Sequence, residues 1–140
     1  MSTQAHALAG VRVMLVDDDL DTLELLAMIL TLSGAVTATR TTAQAVLDDL
    51  VNFAPHVLMS DIDMPRMNGH ELMRRIRQRP THLGGAVQSI AVTADGSQRA
   101  RALARESGFG RLIQKPIDVA HVIGTIQELA HPAGAGGSRS

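Results

Sequence analysis

The chain contains no cysteine, no tryptophan and no tyrosine, and only two phenylalanines. Without thiols there can be no disulfide, thiolate metal site or cysteine nucleophile, and the composition suits a reducing compartment. With aromatics at 1%, no stacking platform for single-stranded nucleic acid can be built. Charge of one sign is also lacking. Thirteen Lys and Arg against 14 Asp and Glu leave a net charge of −1, so no global field draws the chain to nucleic acid or an anionic membrane. No run approaches the roughly 18 apolar residues of a membrane span, and the opening Met1-Ser2-Thr3-Gln4 lacks the basic-then-apolar layout of a signal peptide. These absences lead to the expectation of a cytoplasmic protein with no direct nucleic-acid contact and no membrane contact.

What is present is aliphatic. Hydrophobic residues make up 45% of 140, which suits one domain burying roughly 68–70% of its unfolded surface. Short β-rich apolar runs alternate with amphipathic stretches, the rhythm of a parallel sheet with crossover helices. The runs are Val11–Val16, Ala35–Arg40, His56–Ser60, Ser89–Thr93 and Arg111–Gln114. Between them, Leu23, Leu26, Ala27 and Leu30 recur at helical spacing, and Thr41 with Gln44 has capping-box spacing ahead of Val46, Leu47 and Leu50. Leu72, Met73 and Ile76 share one face of a helix over 71–79. Ser97 caps a fourth helix through Glu106, and Val119 to Leu129 forms the fifth. Residues 80–87, with Gly84-Gly85, read as a loop. Residues 1–9 are expected to be a flexible N-terminus, 10–130 the domain, and 131–140, rich in Gly, Ala and Ser, a flexible tail or linker remnant.

Right-handed crossovers make all five strands point one way, so the residues just after each strand gather on one edge, where open α/β sheets place their sites. Those residues are Asp17 and Asp18, then Asp61 and Asp63, then Thr93, then Lys115. Two carboxylates about 4 Å apart repel by roughly 4 kcal/mol at an effective dielectric near 20, so converging aspartates need a cation or a raised pKa. Oxygen donors without His or Cys select a hard ion, and Mg²⁺ takes few carboxylates while keeping waters. An Asp nucleophile, Mg²⁺, a Thr hydroxyl and a Lys ammonium are the parts that in-line phosphoryl transfer to a carboxylate requires.

Val16-Asp17-Asp18, Ser60-Asp61-Ile62-Asp63-Met64-Pro65 with Gly69, Val92-Thr93-Ala94 and Gln114-Lys115-Pro116 together resemble the receiver domain of two-component response regulators, over about residues 10–130. The resemblance implies an α/β three-layer sandwich whose five-stranded parallel sheet has the flavodoxin-like order 2-1-3-4-5. It implies that Asp61 accepts a phosphoryl group from a histidine kinase or a histidine phosphotransfer protein. Asp17, Asp18 and Asp61 would hold Mg²⁺, or Mn²⁺ in its place, with the backbone carbonyl of Asp63 as a further ligand. Lys115 would pair with the phosphoryl oxygens, its bond to Pro116 would be cis, and Thr93 would swing toward the phosphoryl group. Output would pass to a downstream protein, or to a second copy, through the face formed by the fourth helix, fifth strand and fifth helix. Such a domain is a switch that promotes its own phosphorylation and dephosphorylation without turning over a separate substrate.

Relatives often carry an aromatic three positions before the lysine, where this chain has Leu112, so the readout is expected to run through the Thr93–Gly96 loop and the fourth helix. Asp63 and Asp95, two positions beyond the acceptor and the threonine, together with Ala94, are the positions expected to tune hydrolysis and switching. Leu8-Ala9-Gly10-Val11-Arg12 resembles the lead-in to receivers of hybrid histidine kinases.

Two other functions are open to such a sequence. An aspartate-nucleophile phosphohydrolase would use Asp61 and Asp63 as nucleophile and acid, but Met64-Pro65 and the short chain argue against it. A degenerate receiver would serve as a constitutive docking module, but acceptor, acidic pair and lysine are all retained. Elsewhere, Asp19 and Asp21 suit a helix N-terminus better than a metal. Arg74, Arg75, Arg77 and Arg79 read as a solvated helix face, and His70-Glu71 fails the HExxH spacing because position 74 is Arg.

Overall fold

The apolar runs become strands because each is short and followed by a side chain that starts a helix; four carry Val, Ile, Leu or Met in the core, while the second, Val36-Thr37-Ala38-Thr39-Arg40 at the sheet edge, is held by β-branched residues. The computed structural model describes residues 6–131. Its elements are β1 (Arg12–Val16), α1 (Leu20–Leu32), β2 (Val36–Arg40), α2 (Ala43–Phe53), β3 (Val57–Asp61), α3 (Gly69–Arg77), β4 (Gln88–Thr93), α4 (Gln98–Ser107), β5 (Arg111–Gln114) and α5 (Val119–Ala130), with a 3₁₀ turn at Thr81–Leu83. All four strand pairings are parallel, in the order β2-β1-β3-β4-β5. The expected three-layer, flavodoxin-like arrangement is present. Among the described residues no helix is long and apolar enough to cross a membrane.

Successive side chains of a strand point to opposite faces, and that period divides the core in two. Val13 and Leu15 of β1, Val57 and Met59 of β3, Ile90 and Val92 of β4 and Ile113 of β5 meet α1 and α5. Met14, Val16, Leu58 and Ala91 face the other way, onto α2, α3, α4 and Phe109. β3 is buried throughout, as a central strand covered on both faces must be. Burying each large aliphatic side chain contributes roughly 1.5–3 kcal/mol.

A side chain caps every one of these α-helices: Asp19, Thr42, Asn68, Ser97 and Asp118 each accept from a backbone N–H of the first turn. Each cap contributes roughly 1 kcal/mol. The cap of α2 is Thr42, not Thr41. Thr42 accepts from the N–H of Ala45, while Gln44 donates to Asp48 one turn along.

Residues 6–9, expected to belong to a flexible N-terminus, instead form a packed turn. Leu8 is fully buried against the α1 and α5 side of the sheet, and its N–H donates to Ser33 O at 2.8 Å. At the other end His131 closes α5 by donating to Gln127 O. The rest of the expected tail, 132–140, lies outside the described residues.

Candidate functional site

The register of the sheet decides which side chains meet. Val16 lies opposite Ser60, so the next residues, Asp17 and Asp61, leave neighbouring strands side by side. Asp61 ends β3 opposite Val92, Thr93 ends β4 opposite Gln114, and the N–H of Lys115 donates to Thr93 O at 2.8 Å. Gly69 returns the chain after β3. A Cβ there would stand 2.6 Å from the Asp61 carbonyl oxygen and 2.9 Å from Ile62 Cα, so this approach of α3 to β3 admits only glycine. Ile62 and Met64 anchor the intervening loop in the core while Asp63 stays exposed.

Asp17, Asp18 and Asp61 each bring a carboxylate oxygen to within 4.8 Å of the others. Asp17 and Asp61 are buried, Asp18 is exposed. Lys115 Nζ stands 3.4 Å from Asp61 Oδ1 and 3.7 Å from Asp17 Oδ2. Burial pushes the Asp61 carboxyl above the usual carboxylate range, and Asp17 pushes it further against the pull of Lys115. Burial likewise raises Asp17, opposed by the N–H of Asp19, which donates to Asp17 Oδ1 at 2.9 Å, and by Lys115. Burial pulls the Lys115 ammonium down, but Asp61 and Asp17 together hold it above its ordinary value. One ammonium thus faces two buried carboxylates and a third at the rim, a site short of positive charge and made of oxygen donors. That donor set suits a hard divalent cation.

Thr93 is buried, and its hydroxyl accepts from the N–H of Asp95 at 3.2 Å. The Asp95 carboxylate accepts in turn from the N–H of Ser97, which holds its pKa below the usual range. Ala94 and Asp95 are exposed, and the Lys115–Pro116 peptide is cis. Leu112 is half-buried and packs on the α2, α3 and α4 side, where Phe109 supplies the aromatic ring, edge-on to His70. Asp19 caps α1, accepting from the N–H of Asp21 and the Thr22 hydroxyl, and takes no part in the carboxylate cluster.

Several contacts elsewhere in the fold carry no signal in the sequence. Arg77 is not on a solvated face. Its guanidinium is half-buried and donates to Gly108 O, Gly85 O and Ser89 Oγ. Arg79 donates to Leu47 O at 2.7 Å. His70 Nδ1 lies 2.8 Å from Ser107 Oγ, joining α3 to α4. Gln114 reaches over the loop after β4 and donates to Ala94 O at 3.3 Å.

Residues 13–127 match the family model of the response regulator receiver domain. The chain is 37% identical over 132 residues to an uncharacterized 14.6 kDa protein of Leptolyngbya boryana, covering 93% of this chain and 99% of that one. It is 33% identical over 112 residues to the DNA-binding transcriptional regulator NtrC of Klebsiella pneumoniae, covering 80% of this chain but only 23% of that regulator. Among solved structures it resembles a CheY-like receiver domain protein of Methanospirillum hungatei at 25% identity, with a TM-score of 0.80 over 92% of this chain and 100% of that one.

Proposed function

Since the chain belongs to the response regulator receiver family, we propose that it is a phosphoryl-accepting switch in a His-to-Asp relay, with Asp61 as the acceptor. The observation that carries this reading is the buried Asp61 carboxylate with Asp17 beside it and the Lys115 ammonium 3.4 Å away. A carboxylate oxygen of Asp61 attacks the phosphorus of a phosphohistidine on a kinase or phosphotransfer protein. The P–O bond to Asp61 forms as the P–N bond breaks, and the imidazole leaves with a proton from solvent. Lys115 pairs with the phosphoryl oxygens, and Thr93 offers its hydroxyl to one of them.

Asp17, Asp18 and Asp61 would hold Mg²⁺, or Mn²⁺ in its place, with the Asp63 carbonyl as a further ligand. Such an ion, when bound, neutralises charge developing on the phosphoryl oxygens. The chain's own contribution is to keep Asp61 desolvated and reactive and to bury it away from bulk water. No separate product is released; the output is a changed surface around the loop after β4 and α4, through which a downstream protein or a second copy is engaged in the cytoplasm.

Incubation with Mg²⁺ and acetyl phosphate should add one phosphoryl mass that is alkali-labile and absent from Asp61→Asn. The addition should fall at least tenfold in Lys115→Ala, the scale of losing about 1.4 kcal/mol of transition-state stabilisation. A wild-type protein that gains no mass from acetyl phosphate or from a phosphohistidine donor would refute the reading.

A further inference from the structure

The segment Ala94–Gly96 is the only covalent path from Thr93 to α4, and a side chain from the neighbouring strand lies across it. Gln114 ends β5 opposite Thr93, one residue before Lys115. Leu112 packs on the α4 side of the sheet and Ile113 on the other, so the alternation of β5 sends Gln114 toward the same side as Leu112. There its Nε2 donates to the Ala94 carbonyl at 3.3 Å. Its amide also fills the space above Gly96. A Cβ on that glycine would stand 2.0 Å from Gln114 Oε1 and 2.5 Å from Cδ. Arg101 reaches back from α4 and donates to the Gly96 carbonyl at 3.2 Å, so the loop is held from β5 and from α4 at once.

Within this arrangement the Thr93 hydroxyl is engaged with its own loop, accepting from Asp95. Movement of the Thr93 hydroxyl toward a group on Asp61 gives up its bond from the Asp95 N–H, and that N–H belongs to the same peptide as the Ala94 carbonyl that Gln114 holds. Leu112 offers no ring to report such a movement, whereas Gln114 touches the moving segment directly.

We propose that Gln114 is a positioning residue that latches the Ala94–Gly96 loop in its resting arrangement, and that release of this latch accompanies phosphorylation. The proposal rests on the reading of Asp61 as phosphoacceptor and of Thr93 as its responder. Gly96 belongs to the same device, because it gives the Gln114 amide its seat.

Gln114→Ala removes the latch. Gln114→Glu keeps the size and the acceptor but cannot donate to a carbonyl at neutral pH. Gly96→Ala leaves Gln114 in place and fills its seat, displacing the amide. In the unphosphorylated protein all three should raise amide exchange at residues 94–98 by roughly 2- to 10-fold, the range for loss of one net neutral hydrogen bond. Phosphorylation by acetyl phosphate should quicken by a comparable factor. Gly96→Ala should add little in the Gln114→Ala background, where no amide is left to displace. A residue serving stability alone would lower the melting temperature without this localised and non-additive pattern.

Unchanged exchange at 94–98 in Gln114→Ala, or wild-type behaviour of Gln114→Glu, would overturn the latch, and normal mass gain in those proteins would leave the phosphoacceptor reading standing. Loosened exchange with no mass gain on any form would do the reverse: the phosphoacceptor reading falls, with it the coupling to phosphorylation, and Gln114 is left only as the holder of the loop.

Discussion

At the scale of single residues the site is defined by a charge imbalance. Asp61 and Asp17 are buried beside each other, with one lysine to offset them. Both carboxyls are raised, so the folded protein holds their protons more tightly than the unfolded chain does. The sign follows from linkage: the anionic site costs stability above the raised pKa and costs nothing below the unfolded value. Asp61→Asn should therefore melt several degrees higher than wild type at pH 7.5 in EDTA, an advantage that shrinks toward zero near pH 3.5; equal melting temperatures at pH 7.5 would contradict it. Magnesium in place of the EDTA should raise the wild-type melting temperature, with about 1.4 kcal/mol for each tenfold excess over Kd. In Asp17→Asn that response should be largely lost. The gathering of Asp17, Asp61, Thr93 and Lys115 at one sheet edge was legible because each ends or follows an apolar run, and a parallel sheet must bring such ends together. What the sequence does not carry is direction. Nothing in Val92-Thr93-Ala94 says that the threonine hydroxyl accepts from Asp95, or that Gln114 reaches the Ala94 carbonyl, because both depend on how a loop lies over a neighbouring strand.

At the scale of elements, α4 is fastened at one end. Its last residue, Ser107, meets His70 of α3, and the carbonyl of Gly108 just beyond it takes two donors from Arg77. Arg77→Ala leaves the Gly108 and Gly85 carbonyls without those donors, so we expect a loss of about 3 kcal/mol, measured by urea unfolding. The His70 contact adds a pH dependence. Burial lowers the His70 pKa, and Arg74 lowers it further against the pull of Asp63. A depressed folded value means the unfolded chain takes up the proton first, so stability is present above the ordinary His value near 6.5 and is lost as pH falls below it. His56, whose pKa burial also lowers and whose Nδ1 accepts from the N–H of Arg12, acts in the same sense. His70→Asn should accordingly flatten, without abolishing, the fall in unfolding free energy between pH 7.5 and 5.5; an unchanged slope would show that His70 titrates freely. These contacts explain why the arginine run misled. Arg77 and Arg79 find their partners 31 and 32 residues away in the chain, and periodicity reports only which side of a helix is polar, not what covers it. The capping of α2 by Thr42 is a smaller case, since Thr41-x-x-Gln44 matches a capping box in spacing while the backbone turns one residue later.

At the scale of the whole molecule, the sheet order and the alternation of its strands separate two halves with different duties. The α1 and α5 side is aliphatic throughout and includes Leu8, while the other side carries α4, Phe109 and Leu112. This division was legible because the alternation is strict and the core has almost no aromatics to blur it. How a signal would cross it was not, because the answer lies in which end of α4 is tied. The C-terminal end is held by Ser107 and Gly108 against α3, whereas the N-terminal end follows an exposed loop that takes one bond from Gln114, one from Arg101 and, from its own Asp95 N–H, one to the Thr93 hydroxyl. A perturbation arriving at Thr93 should therefore tilt α4 about its far end rather than slide it. With Mg²⁺ and beryllofluoride standing in for the phosphoryl group on Asp61, amide shifts should be large from Thr93 to Ala100, decline along α4 and be small at Ser107–Gly110. Residues of α1 beyond its first turn should hardly move, since Leu23, Leu26 and Leu30 lock that helix into the aliphatic core. Shifts of equal size along the whole of α4 would mean that the Arg77 and His70 fastening gives way, and the tilt would have to be abandoned for a rigid displacement.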